Sequence, residues 1–495
     1  MSLAILTPVI IFLAALLAIG YYFAARARRY PDFAREYFVA NRTLGGVVLA
    51  MTLVATYGSV SSFISGPGLA WQLGYGWVAF ASAQVITGFL LLGAVGKKMA
   101  LISRKINALT VINVLEARYG SRALSVTLAL LMLVFFTTMI VGQFVGGAQI
   151  FAAIAGLGYT EGLLLFAVVT VLYTAGGFRA VVMTDAVCAV LMIVGMCSLF
   201  YVIIEEAGGY ASLTATINSL GADGTGRGQL TDVTSHGALP FTLLFSAWVL
   251  VGFGTIGLPQ SLARSISYRD TRSLHGAMLV ATVICGALMI GMTLTGVWAR
   301  AVITELPENG TDSVIPTLIA TRMHPLLAGI TIIGPIAATM STVSSLLILA
   351  TSAVARDLHA RFTGGEHGGR YRMRVRYITY AIGLAGIALA VHPPDIVVWI
   401  NLFSFGGLEC AFLWPVLLGL FWRRMNAAGA ALGLVFGMGS YFLLGVFKVY
   451  QAGLHPIVIA TAMGLAFSIV GSYLGRGNPE GVDEVFFPHR LPVQA

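Results

Sequence analysis

Apolar runs of about 20 residues, the length that carries a helix across a bilayer, recur along this chain from Ala4 to Gly475. A chain built this way has no water to bond its backbone inside the hydrocarbon, so it must close those bonds within helices. Composition agrees: 58% of residues are apolar and 10% charged, against about 25% charged in a soluble domain. A cytosolic enzyme, a secreted disulfide scaffold and a disordered chain are excluded together. The net charge of +9 does not point to nucleic acid, because Lys and Arg sit in short connections rather than on one docking face. Cys188, Cys197, Cys285 and Cys410 all fall in apolar runs, where thiols behave as small hydrophobes and show no paired spacing.

Thirteen spans are expected, at 4–25, 46–72, 76–96, 123–155, 160–177, 182–204, 240–262, 274–299, 324–354, 375–391, 396–421, 427–449 and 456–475. The first has no basic residue before it and Arg26, Arg28 and Arg29 after it, which reads as a retained helix with its N-terminus outside. An odd count puts the C-terminus inside. Of 29 basic residues, only Arg227, Arg300, Arg322 and Lys448 then fall on the outer side, as the preference of Lys and Arg for cytoplasmic loops requires. The segment 207–239 reads as an outer surface loop, and Arg370, Arg372, Arg374 and Arg376 as an inner anchor on anionic lipid.

Two spans carry Gly and Pro clusters at membrane depth, where a broken helix is tolerated only under cover of protein or a wet cavity. The second has Ser65, Gly66, Pro67 and Gly68 after a polar run, and the seventh has Gly252, Gly254, Gly257 and Pro259. They stand five helices apart. An odd repeat length reappears upside down, so the pattern predicts an inverted five-helix repeat with a binding site where the breaks meet. The expected organisation is a first helix and inner basic loop at 1–43, one repeat at 44–206, the outer loop at 207–239, a second repeat at 240–425, two peripheral helices at 426–475 and a cytoplasmic tail at 476–495. The three glycines of the seventh span also spell GxGxxG, but a dinucleotide site needs a strand before them. The GxxxG pairs Gly142 with Gly146 and Gly433 with Gly437 read as close helix packing.

In the ninth span the Ala338 carbonyl and the Ser341 and Thr342 hydroxyls share a helix face. A neutral oxygen cluster suits a hard cation, by extension from the oxygen preference of calcium and magnesium, and sodium is the expected ion. The same hydroxyls could instead bond back to their own helix. The break in the second span frees carbonyls near Ala55 and Gly58 to complete a cage. Acidic residues in a membrane are costly, and only Asp185 and Glu409 qualify. Asp185 reads either as a relay handing the cation to the cytoplasm or as the cap of its helix. For Glu409 three readings stand: a protonated acid, half of an ion pair, or a gate. No nucleophile, base and orienting acid fall together, so an enzyme is not expected.

The stretch from Tyr173 through Gly176, Gly177 and Arg179 to Asp185 resembles the first signature of the sodium/solute symporter family, and Gly419, Leu420, Arg424, Gly429 and Ala430 resemble the second. The likeness runs from Tyr37 to Gly475, and the branch most resembled transports pantothenate. It implies an all-helical integral membrane protein with a leucine-transporter-like core in helices two to eleven, sodium-coupled alternating access, and no cofactor beyond the coupling ion. Carried over, the family's sodium site falls on Ala55, Gly58, Ala338, Ser341 and Thr342, and its acidic residue on the exit route on Asp185. The resemblance also implies a bacterial inner membrane, and the chain is expected to work as a monomer. Where proline-transporting relatives carry an Asp in the broken helix this chain has Tyr57, and their substrate-stacking pair corresponds to Met139 and Val251, which disfavours proline.

Pantothenate is a monoanion with an amide and hydroxyls. No Lys or Arg is expected at membrane depth to meet its carboxylate, so the backbone N–H groups near Gly66 to Gly68 and Gly257 are expected to supply partial positive charge. Tyr57, Ser59, Ser61, Ser62, Gln143, Trp248 and Thr255 are the expected solute ligands. A same-fold symporter for another small solute is the nearest alternative, and a channel or membrane sensor a more distant one.

Overall fold

The computed structural model describes residues 3–27, 30, 32–220, 230–308, 310–360, 369–392, 397–447 and 453–488. Arg28, Arg29, Arg227, Arg361 and Lys448 lie outside the described residues. Among those described, the chain forms helices and no strand, with one isolated backbone pairing of Leu44 with Tyr268.

The first half contains α1 (Leu3–Ala27), α2 (Gly46–Tyr57), α3 (Ser61–Leu73), α4 (Tyr75–Lys105), α5 (Arg122–Ala155), α6 (Tyr159–Thr174) and α7 (Phe178–Glu206). The second contains α8 (Phe241–Gly257), α9 (Pro259–Ser265), α10 (Thr271–Ala299), α11 (Pro325–Leu358), α12 (Gly369–Ala390) and α13 (Val397–Phe421). Two more, α14 (Ala427–Val446) and α15 (Pro456–Leu474), follow. Among the described residues nine helices are long and apolar enough to cross a bilayer, or eleven spans if each bent pair counts as one. The short α6 and the arginine-led α12 coincide with expected spans but fall below those limits.

The two bent pairs are the expected broken helices. α2 and α3 meet at 67° and α8 and α9 at 48°. At each break one residue turns extended: Gly58 at φ −65°, ψ 109° and Leu258 at φ −73°, ψ 117°. The first break comes earlier than the Gly-Pro cluster suggested. A π turn over Ser61–Ser65 lets the Gly66 N–H reach the Ser61 carbonyl, which accommodates Pro67 inside α3 without a kink. Gly68 and Gly296 serve packing, since a Cβ on Gly68 would stand 2.1 Å from the Thr311 carbonyl oxygen and one on Gly296 2.1 Å from that of Pro67.

α11 forms the axis of the fold, buried from Thr331 to Ala353 and packed on α1, α5 and α7. α14 and α15 lie against each other through small residues: a Cβ on Gly433 would stand 2.0 Å from Ser468 Oγ and one on Gly437 3.3 Å from Gly464 Cα. The family signatures have local explanations. Arg179 pairs with Glu36 and donates to the Ala40 carbonyl at 2.9 Å. Buried Arg118 donates to the Gly419 carbonyl at 2.7 Å and to those of Trp422 and Arg423 at 3.2 Å, capping the C-terminal end of α13. The segments flanking the broken pairs are tied: the Leu44 amide donates to the Ser267 carbonyl at 3.3 Å and the Leu44 carbonyl accepts from the Arg269 amide at 2.9 Å.

Candidate ion and solute site

The end of α2 leaves carbonyls without helical donors, as any helix terminus does. Two of them are met by α11. Ser341 Oγ lies 3.1 Å from the Ala55 oxygen and 3.0 Å from that of Ala338, and Thr342 Oγ1 lies 2.9 Å from the Gly58 oxygen and 2.9 Å from that of Ala338. All five residues are buried. Each hydroxyl has one proton and two carbonyl neighbours, so the group holds more acceptor capacity than its own protons fill, which is the electrostatic condition for a small cation. Back-bonding to Ala338 and bridging to α2 therefore both occur. Tyr173 of the first signature steadies this level of α11, its hydroxyl donating to the Met340 carbonyl at 2.7 Å.

One turn further along the same two helices sits a charge the sequence reading did not expect. Arg264, on α9, is wholly buried; its Nη2 lies 2.6 Å from Ser345 Oγ and 3.4 Å from Asp185 Oδ2, and its Nε 3.2 Å from the Thr52 carbonyl oxygen. Asp185 Oδ2 also accepts from Thr52 Oγ1 at 2.6 Å. The expectation of no basic residue at this depth is corrected: the bend at Leu258 turns α9 inward, so a residue two positions past the predicted span end stays inside the protein. Asp185 is not a cap either, because α7 starts at Phe178 with Gly177 in the cap position.

Beside the first break lies a cavity of about 50 Å³ lined by Tyr57, Ser59, Ser61, Ser62 and Gly66 from the first broken pair, Trp77, Phe80, Ala81 and Gln84 from α4, Val251 from α8, Met289 and Thr293 from α10, and Val398, Asn401, Leu402 and Phe405 from α13. That volume holds water molecules and no larger solute. Four of the seven expected solute ligands are here. The Tyr57 hydroxyl also meets Ser261 Oγ at 2.7 Å, joining the two broken pairs.

The other three do not line it, although Thr255 borders the Tyr57 hydroxyl. Gln143 stands behind the break, where its Oε1 accepts the freed Val60 N–H at 3.0 Å, covering backbone that unwinding exposed. Thr255 donates to the Gly252 carbonyl at 2.5 Å within its own broken helix. Trp248 is 45% exposed and does not line the cavity; a π turn over Trp248–Gly252 shifts the phase of α8 and brings Val251 inward instead. The donors expected at Gly66 to Gly68 are corrected too, since the Gly66 N–H is taken by Ser61 and Pro67 has none.

Sequence reasoning missed Trp77, stacked on Phe80 at 4.6 Å and 3°, and Asn401, whose buried Oδ1 has no hydrogen-bond partner. An aromatic in an apolar run carries no distinguishing signal, but an Asn in one does.

The family model described as sodium:solute symporter family matches residues 37–437. The chain is 40% identical to the sodium/pantothenate symporter of Haemophilus influenzae, covering 97% of this chain and 98% of that one, and 39% identical to that of Escherichia coli over the same shares. A solved substrate-bound, outward-open Na⁺-coupled sialic acid symporter superposes with a TM-score of 0.82 at 18% identity, covering 97% of this chain and 99% of that one. The likeness to that structure establishes the shared fold.

Proposed function

This chain belongs to the sodium:solute symporter family, and we propose that it imports pantothenate together with sodium by alternating access. It is a transporter, not an enzyme, and its coupling ion takes the place of a cofactor. The observation that carries the reading is the meeting of α2 and α11 through the Ala55, Gly58 and Ala338 carbonyls and the Ser341 and Thr342 hydroxyls. A sodium ion there would tie the two helices together. Solute bound beside the same break would favour the same closed arrangement, and ligands that prefer one arrangement shift the equilibrium towards it by their difference in affinity.

In this reading sodium leaves past Thr52, Ser345 and Asp185, and pantothenate occupies an enlarged form of the cavity at Tyr57, Ser59, Ser61 and Ser62. The observed volume holds only water, so the reading requires Trp77, Phe80 and Met289 to move apart on opening. The solute carboxylate would meet hydroxyls of the broken pairs, with the positive charge of Arg264 one turn from Ser261. One sodium with one monoanion moves no net charge; a second sodium would add about 2.3 kcal/mol of drive per 100 mV. The positive-inside distribution supports thirteen crossings with the N-terminus outside, the likeness to two bacterial symporters supports a bacterial inner membrane, and a single chain contains every group invoked.

Uptake of labelled pantothenate into proteoliposomes under an inward sodium gradient tests this. Saturable uptake that collapses without sodium is expected. Equal uptake in sodium-free vesicles would overturn the coupling, and stronger competition by another small solute would reassign the substrate.

A further inference from the structure

Each half of the fold ends on a helix carrying one buried acid against that half's broken helix: Asp185 of α7 against Thr52 of α2, and Glu409 of α13 against Gly254 of α8. Their surroundings differ. Asp185 has Arg264, Thr52 and Ser345. Glu409 is fully buried, and neither of its oxygens has a hydrogen-bond partner. Its Oε2 lies where a Cβ on Gly254 would be, 2.3 Å from that position, so the bare glycine backbone is what admits the carboxyl.

The other titratable groups on elements packed against α13 make no hydrogen bond to this carboxyl: the short helix Val111–Tyr119 carries half-buried Glu116, and the Tyr441 hydroxyl of α14 stands against Gly406, one turn before Glu409. α3, α8 and the facing length of α5 carry none. On α14 the Tyr441 hydroxyl donates to the Phe403 carbonyl at 3.2 Å. Beyond the carboxyl, Tyr119 donates to the Pro415 carbonyl and Arg118 to that of Gly419, about 9 and about 15 Å along the helix. Tyr473 stands near the far end of α15, and on α13 itself only the adjacent buried Cys410 titrates. An ionised carboxylate left alone in such a place is too costly, and the group neutralises instead. A sodium ion would need a shell of further oxygens, and no described donor or acceptor reaches this one.

Glu409 also sits one turn from the solute cavity along both helices it touches, with Phe405 on α13 and Val251 on α8 lining that cavity. We propose that Glu409 is a proton-binding site, neutral while α8 and α13 are packed and releasing its proton to water when the cavity opens between them. Closing again requires the proton to return from water, so alkaline conditions slow the cycle. The pH arm rests on the alternating-access reading; the protonation state does not.

Infrared spectroscopy of the whole protein in lipid tests it directly. A carbonyl stretch of a protonated carboxylic acid, shifted by deuterium exchange once the transporter cycles, is expected in the parent protein and lost in Glu409→Gln. The amide mimics the neutral acid, so this variant should keep uptake while losing pH dependence, where the parent falls about threefold or more between about pH 6 and about pH 9. Should that variant not fold, Gly254→Ala leaves Glu409 in the chain but crowds its carboxyl, and must shift the same band. A spectrum unchanged by either substitution, or identical pH profiles for parent and Glu409→Gln, would overturn the proposal. The band present in a protein without sodium-driven uptake would defeat the transport reading and leave the proton site standing.

Discussion

Arg264 and Asp185 face each other with no solvent exposure on either side chain, guanidinium Nη2 3.4 Å from carboxylate Oδ2. Breaking a buried pair from one side costs about 3–5 kcal/mol, because the partner is stranded, whereas removing both charges costs far less. Arg264→Gln and Asp185→Asn are each expected to lower the thermal midpoint in detergent sharply, and the double variant to recover much of the loss. Simple additivity of the two effects would show that the residues act independently.

The cage at the end of α2 makes a separate demand. Removing both hydroxyls with Ser341→Ala and Thr342→Ala is expected to raise the sodium concentration for half-maximal uptake at least tenfold, equivalent to about 1.4 kcal/mol, with protein level nearly unchanged. Sodium should also stabilise the parent against heat and the double variant much less, since an ion that binds only the folded state raises its stability by mass action. Equal sodium protection of both would remove these residues from the site.

Asn401 brings an unpaired oxygen to the cavity wall, which suits an amide or hydroxyl of the solute. Asn401→Ala is expected to raise the KM for solute about tenfold and to leave sodium activation where it was. A change in sodium activation alone would place the residue in the ion path.

His455 precedes α15 outside the spans, accepting the Ile457 N–H at 3.2 Å on Nδ1, and burial lowers its pKa to about 4. The folded protein then binds fewer protons than the unfolded chain between its ordinary value near 6.5 and about 4, so stability falls as pH drops through that window. His455→Asn keeps a capping acceptor and is expected to lose less thermal stability on acidification from about pH 7 to about pH 5. Parallel pH curves would exclude this histidine.

The sequence made the breaks legible because Gly and Pro at membrane depth are conspicuous whatever surrounds them, and it made Ser341 and Thr342 legible because standing three and four residues after Ala338 puts them on its face of the helix. What it hid depends on helix phase and length. The first break falls at Gly58, ahead of the π turn over Ser61–Ser65 that takes up the Gly-Pro cluster, and beside the π turn over Trp248–Gly252 it is Val251 rather than Trp248 that lines the cavity. Arg264 was hidden because a bend at Leu258 keeps a short helix inside the protein past the point where a straight one would leave the bilayer. The same placement error, four residues at the start of α7, made Asp185 resemble a cap. Glu409 could be read as buried, but its isolation depends on Gly254 and other residues distant in sequence.

The backbone tie of Leu44 to Ser267 and Arg269 couples the entrance of one snapped helix to the exit of the other. Two backbone hydrogen bonds at that junction resist a swing of either helix alone, so they would gear the two broken helices together. Lengthening the chain between Leu44 and α2 would slip that gear, allowing ion and solute to cross at unrelated rates.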